Sequence, residues 1–265
     1  MEGNFLKKLI FAANWKLNKT PEETRSFFKN FEKSFVAIYS RIKAIKAEVM
    51  FFPPASSWEA TGDSIKAIND KLDSHLALSW GAQNIYVESQ GAFTGENSSS
   101  VMSLLGGISS LVGHSERRTY FKETNEFLNQ KILSLQKRSL LPIYCIGETL
   151  QDRESGATEK ILSEQLAQGL KNVSSENLVI AYEPVWAIGT GKIASFAQVS
   201  ETHAFLRKWL NEKGFTETPI LYGGSVKADN ASELISISDV NGFLVGGASL
   251  EPTTFATLIE NGLSL

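Results

Sequence analysis

The sequence predicts a closed parallel (β/α)8 barrel, and three observations lead there. Eight short apolar runs of strand-like composition recur along the 265 residues. Longer stretches of helix-forming composition separate them, and strands alternating with helices make a parallel sheet. Divided among eight units, the length gives about 33 residues each, which together fit the roughly 250 residues typical of a closed barrel. An open doubly wound sheet shares this alternation and is the competing architecture. No low-complexity tract or Pro/Ser linker divides the chain, so residues 1–265 are read as one domain.

The strand runs, in order, are Leu9–Ala13, Glu48–Phe52, Leu76–Gly81, Ile108–Gly113, Pro142–Ile146, Leu178–Tyr182, Pro219–Tyr222 and Gly242–Val245. After the first of them, Thr20-Pro-Glu-Glu23 is a helix opening, with a capping Thr, Pro in the first turn and early acids. Glu159–Leu170 and Val199–Leu210 repeat apolar residues at helical spacing.

Composition narrows the function. The chain is 42% hydrophobic and 21% charged, ordinary for a globule with a sizeable core. A net charge of −3 offers no basic face for nucleic acid or an anionic membrane. Cys145 is the single cysteine, which rules out an internal disulfide, suits a reducing compartment and reads as a small core residue. Lys7-Lys8 before Leu9–Ala13 faintly imitates a signal peptide, but the apolar stretch is short and runs straight into Asn14-Trp-Lys16. No run approaches transmembrane length, so a soluble, cytoplasmic protein is expected.

Polar residues gather just after the strand runs. Asn14 and Lys16 follow the first, His114 the fourth and Glu183 the sixth. In a closed barrel these ends meet on one rim, the face where such enzymes carry their sites. Glu183 ends an apolar strand, where a carboxylate can act as a general base. Pro184 and Trp186 stiffen the chain beyond it, and Gly189 and Gly191 release it, a pattern suited to closing over substrate; an ordinary strand-to-helix connection with a solvated Glu is the alternative. Lys16 can hold an anion and stabilise developing negative charge, or simply reach into solvent. Asn14 can donate or accept a hydrogen bond. His114 precedes a helix start, Ser115-Glu-Arg-Arg118, whose dipole disfavours imidazolium and leaves a neutral donor. Glu116 and Arg117 are read as orienting these groups, with plain surface charge as the alternative.

Gly223-Gly224-Ser225 and Gly246-Gly247 fall in the seventh and eighth units, where barrels commonly seat phosphate on backbone N–H groups. No metal site is expected: His75, His114 and His203 are scattered without ligand spacing, and His75 and His203 are read as structural. No Rossmann or Walker glycine motif is present.

Several stretches together resemble the triosephosphate isomerase family, over essentially the whole chain. They are Asn14-Trp-Lys-Leu-Asn18, Gly91-Ala-Phe-Thr-Gly-Glu96, Gly113-His-Ser-Glu-Arg-Arg118, Cys145-Ile-Gly-Glu148, Ala181-Tyr-Glu-Pro-Val-Trp-Ala-Ile-Gly-Thr-Gly-Lys192, Tyr222-Gly-Gly-Ser225 and Leu244-Val-Gly-Gly-Ala-Ser249. The resemblance implies a TIM barrel that interconverts dihydroxyacetone phosphate and D-glyceraldehyde 3-phosphate in glycolysis and gluconeogenesis. Glu183 would be the base, His114 the electrophile and Lys16 the electrostatic partner, with Asn14 beside them. Gly189, Ser225, Gly246 and Gly247 would hold the phosphate. No metal or organic cofactor is implied, because the substrate carbonyl is the electron sink. A homodimer is implied, with the loop carrying Thr94 entering the partner subunit. Two departures stand out. The stretch from Arg41 to Leu78 is longer than usual for the family, and Asn97-Ser-Ser-Ser100 lacks a proline often seen after the dimer loop. A Schiff-base aldolase using Lys16 and a catalytically dead binding barrel are the rival readings.

Overall fold

A computed structural model describes residues 8–74, 77–188 and 193–264. The strands are β1 (Ile10–Asn14), β2 (Glu48–Phe52), β3 (Ser79–Ala82), β4 (Ser109–Val112), β5 (Leu141–Ile146), β6 (Val179–Tyr182), β7 (Ile220–Tyr222) and β8 (Gly242–Val245). They pair in parallel in chain order, and β8 pairs with β1 to close the barrel. The doubly wound alternative is excluded by that closure. The helices are α1 (Pro21–Ile45), α2 (Trp58–Lys71), α3 (Ser99–Leu104), α4 (Ser115–Tyr120), α5 (Asn125–Gln136), α6 (Leu150–Glu154), α7 (Thr158–Gly169), α8 (Phe196–Glu212), α9 (Ala228–Ile235) and α10 (Pro252–Gly262).

The second and eighth strands keep the bounds of the sequence pattern, and the other six depart from it by one to three residues at an end. The third strand begins at Ser79 rather than Leu76, and Leu76 lies outside the described residues. Asn14, expected just past the first strand, is its last residue. Hydrogen-bonded pairing decides an end, and hydropathy does not report it.

Period-two alternation divides each strand between two cores. Ile10, Ala12, Met50, Phe52, Leu111, Ile143, Cys145, Val179, Ala181, Leu221 and Leu244 fill the barrel interior. Phe11, Phe51, Tyr144, Ile180 and Phe243 face outward into the helix layer. The inward series 10, 12 and 179, 181 extends by parity to Asn14 and Glu183. Strand geometry therefore aims both side chains at the barrel axis.

The helix at Thr20 opens as expected, with Glu23 N–H donating to the Thr20 hydroxyl at 3.3 Å and Thr20 N–H to the Glu23 carboxylate at 2.7 Å. The long stretch after Arg41 forms the end of α1, β2 and α2. Lys71 of α2 pairs with Glu32 of α1 at 2.6 Å, and the Asn69 amide bonds both backbone groups of Leu78 at 2.9 Å. Phe51 of β2 joins Phe27, Phe28, Phe31 and Phe35 of α1 and Phe255 of α10 in an aromatic core under the helix layer. Among the described residues none from 41 to 78 lines the site below. Cys145 is buried as expected; burial, then the nearby Glu183 charge, pushes its thiol well up and leaves it unreactive.

Candidate active site

The C-terminal ends of the strands surround a cavity of about 310 Å³ lined by Asn14, Lys16, His114, Glu183, Ser225, Gly246 and Gly247 among others. Residues from the first, fourth, sixth, seventh and eighth units therefore converge. Gly189 lies outside the described residues, as does His75.

Glu183 follows β6 directly, and its backbone is locked into the ladder. Its N–H donates to Ile146 O at 2.7 Å, while Gly223 N–H donates to Tyr182 O at 2.7 Å. Its neighbours leave it little room. A Cβ on Gly147 would overlap the Glu183 carbonyl, and one on Gly223 would lie 2.9 Å from Glu183 Cγ. The carboxylate is 2% exposed, and it is compensated on both oxygens. Ser115 N–H donates to Oε2 at 2.9 Å, and His114 Nε2 lies 3.0 Å from Oε1.

His114 caps α4, and its Nδ1 accepts from Glu116 N–H at 3.3 Å. With Nδ1 as the acceptor, the neutral ring turns Nε2–H toward Glu183. Burial disfavours the imidazolium, but the charges of Glu183 and then Glu116 outweigh it, so the His114 pKa sits above its ordinary 6.5. This corrects the sequence expectation in one respect. The helix start does fix Nδ1 as an acceptor, yet the carboxylate docked on Nε2 reverses the direction in which the pKa moves.

Lys16 adopts a left-handed conformation (φ 52°), held from both sides. Its N–H donates to Asn14 Oδ1 at 3.0 Å, and its carbonyl accepts from Gln83 Nε2 at 2.7 Å. Gln83 also donates to Phe52 O at 2.8 Å. The Lys16 ammonium pairs with Glu116 at 2.7 Å, so Glu116 touches both Lys16 and, at 3.5 Å, His114 Nδ1. Arg117 turns away to Glu123 at 2.7 Å. Ser225 donates its hydroxyl to Ala187 O at 2.8 Å, tying the seventh loop to the segment after Glu183.

Glu148, quoted from the sequence without a role, is the buried anchor behind this segment. It is fully buried, and its Oε1 accepts from Trp186 Nε1 (2.9 Å), Tyr182 OH (3.1 Å) and Arg153 Nη1 (3.1 Å). Burial, then the Glu148 charge, pushes the Tyr182 phenol well above its ordinary value, so it remains a donor. The signal that singled out Glu183, a carboxylate following an apolar strand, also applies to Glu148. Gln83 gave no such signal. His203 is buried, with Nδ1 3.0 Å from Asp239 O, a structural position as read. Among the described residues no group of three His, Cys, Asp or Glu side chains could hold a metal ion, and no helix is long and apolar enough to cross a membrane.

The triosephosphate isomerase family model matches residues 9–262. A triosephosphate isomerase of Bdellovibrio bacteriovorus is 51% identical over 254 residues, covering 95% of this chain and 98% of its own. Others from Synechococcus sp. and Moorella thermoacetica are each 41% identical and cover 96% of this chain, over 95% and 99% of their own lengths. With the family matched from the first strand to the last helix, the chain belongs to the triosephosphate isomerase family and is an isomerase acting on triose phosphates.

Proposed function

We propose that Glu183 moves the proton in the interconversion of dihydroxyacetone phosphate and D-glyceraldehyde 3-phosphate, by way of an enediolate. The observation that supports this most is the buried Glu183–His114 contact on the cavity wall, 3.0 Å from carboxylate to imidazole. Without substrate, base and electrophile occupy each other. A substrate oxygen that takes His114 Nε2–H frees Glu183 Oε1 to reach a carbon-bound proton.

Glu183 removes the proton from C1, and the electron pair moves through C2 onto the carbonyl oxygen. His114 and the Lys16 ammonium stabilise the charge that develops there. The proton returns to C2, and His114 relays the oxygen-bound proton from the C1 oxygen to the C2 oxygen. Ser225, Gly246 and Gly247, with the backbone of Gly189 as the fourth assignment, hold the phosphate, and Asn14 and Glu116 keep Lys16 in place. The reaction serves glycolysis and gluconeogenesis in the cytoplasm.

The protein acts as a homodimer. Thr94 is exposed on a loop braced by the Tyr86 and Phe93 rings, whose centroids are 4.5 Å apart. Leu17 is 95% exposed, Leu104 86% and Tyr120 76%, apolar surface that a second copy would cover. A coupled assay with dihydroxyacetone phosphate tests the activity, with borohydride added in a parallel arm. Turnover without a covalent adduct is expected. A borohydride-trapped lysine adduct would mean Schiff-base chemistry at Lys16, which is engaged here as an ion-paired ammonium.

A further inference from the structure

The charges around the cavity do not favour an anion unless one more residue is counted. Among the described residues its ionisable lining consists of Lys16, His114, Glu183 and Lys227. Lys16 is spent on Glu116 at 2.7 Å, and Glu183 and His114 are spent on each other at 3.0 Å. Lys19, from the same loop as Lys16, lies over the rings of Trp15 and Phe27, at 5.5 and 5.0 Å, and is absent from the lining. A phosphate dianion would thus enter a low-dielectric pocket whose other charges are already paired, an unfavourable approach without a cation to receive it.

Lys227 supplies that cation. It is exposed, lines the cavity beside Gly224 and Ser225, and makes no ion pair among the described residues. Its backbone is fixed, because Lys227 N–H donates to Asn230 Oδ1 at 2.8 Å and Asn230 Nδ2 donates to Ser225 O at 3.2 Å. The cation is therefore anchored to the loop that carries the phosphate-facing serine, yet its charge is not spent on a protein carboxylate.

We propose that Lys227 is a binding residue whose unspent cation draws the substrate's phosphate dianion into the cavity. This rests on the isomerase mechanism proposed above and adds to it a cation outside the reacting groups. Lys227 acts on capture rather than on proton transfer, so it affects kcat/KM and not kcat. Its contribution is screened by salt, since the Debye length falls from about 30 Å at 0.01 M to about 3 Å at 1 M.

The test is kcat/KM for dihydroxyacetone phosphate at about 0.01 M and 1 M ionic strength, in wild type, Lys227→Met, Lys227→Arg and Lys213→Met. Lys213 follows α8, at the end of the barrel away from the site, and controls for net charge. Lys227→Met should lower kcat/KM by about threefold to tenfold at low salt, converge with wild type at high salt, and hold kcat within about twofold. Lys227→Arg and Lys213→Met should follow wild type. Calorimetry with inorganic phosphate should show the same salt-dependent weakening in Lys227→Met, independently of turnover. An unchanged kcat/KM at low salt, a loss that persists at high salt, or an equal loss in Lys213→Met would overturn the proposal. A wild type that turns over normally while Lys227→Met is unaffected defeats this inference alone. A wild type without turnover defeats the mechanism, and phosphate binding then decides the role of Lys227.

Discussion

The two mouths of the barrel are built from the same eight strands and differ in a way that volume does not report. The N-terminal mouth holds the larger hollow, about 660 Å³, lined by residues at the starts of strands such as Glu48, Ser79, Leu141 and Val179. Its charges behave as surface charges. Lys8 and Glu48 pair at 3.0 Å with side chains 51% and 38% exposed, and Glu217 is open to solvent. The C-terminal hollow is about 310 Å³, yet Asn14, His114 and Glu183 on its wall are all buried. Burying a carboxylate is costly unless hydrogen bonds and charge compensate it. The carboxylate kept there lies beside an imidazole, 3.0 Å away. A buried carboxylate facing an imidazole on the cavity wall, not the size of the cavity, sets the C-terminal mouth apart from the N-terminal one.

The sharpest way to break this contrast is to neutralise one carboxylate on each rim. Glu183→Gln should lower kcat by about 10²–10⁴, the usual worth of general-base catalysis. Glu217→Gln should leave kcat within about twofold, as for surface substitutions generally. A loss below tenfold in Glu183→Gln, measured by the coupled assay, would remove Glu183 from its role.

Next in size is the assembly. Thr94→Arg places an unpaired charge at the proposed contact, with a cost of about 3–5 kcal/mol if it is buried there. Sedimentation should show monomers with reduced activity, whereas a fully active dimer would place the contact elsewhere.

The anchor behind the working rim comes third. Glu148→Leu leaves Arg153, Tyr182 and Trp186 without their shared acceptor. About 2–5 kcal/mol of stability should be lost, read from urea unfolding at fixed protein concentration. A midpoint unchanged from wild type would show the anchor to be dispensable.

The smallest effect is a titration. His114 has a pKa raised by Glu183 against burial, so its ion pair stabilises the fold fully below pH 6.5 and ceases to do so as pH rises through the folded value. In Glu183→Gln the main raising charge is gone, and the His114 midpoint, followed by imidazole NMR, should fall below that of wild type. A midpoint that stays in place would mean the two groups do not touch in solution.

Much of this was legible in the sequence because it depends on local periods. Strand alternation and helical spacing gave the barrel, and a carboxylate ending the Leu178–Tyr182 run marked Glu183. Thr20 announced its own helix cap. What was not legible depends on convergence. Lys131 carries no signal in the sequence, yet it is buried, with Nζ 2.6 Å from Asn84 Oδ1 and 2.7 Å from Glu123 Oε1. The same holds for Gln83 on the Lys16 turn and for the docking of Glu183 on His114. No spacing rule encodes contacts between residues scores of positions apart.

The central claim is that proton transfer on this rim runs through Glu183, and isotope exchange tests it most directly. Dihydroxyacetone phosphate incubated in deuterium oxide with wild type and with Glu183→Gln is followed by proton NMR. Wild type should carry solvent deuterium into C1 of the ketose and C2 of the aldose. The variant should lose incorporation and isomerisation together, by the same factor. Wild-type incorporation persisting in Glu183→Gln would contradict the assignment of Glu183 as the base.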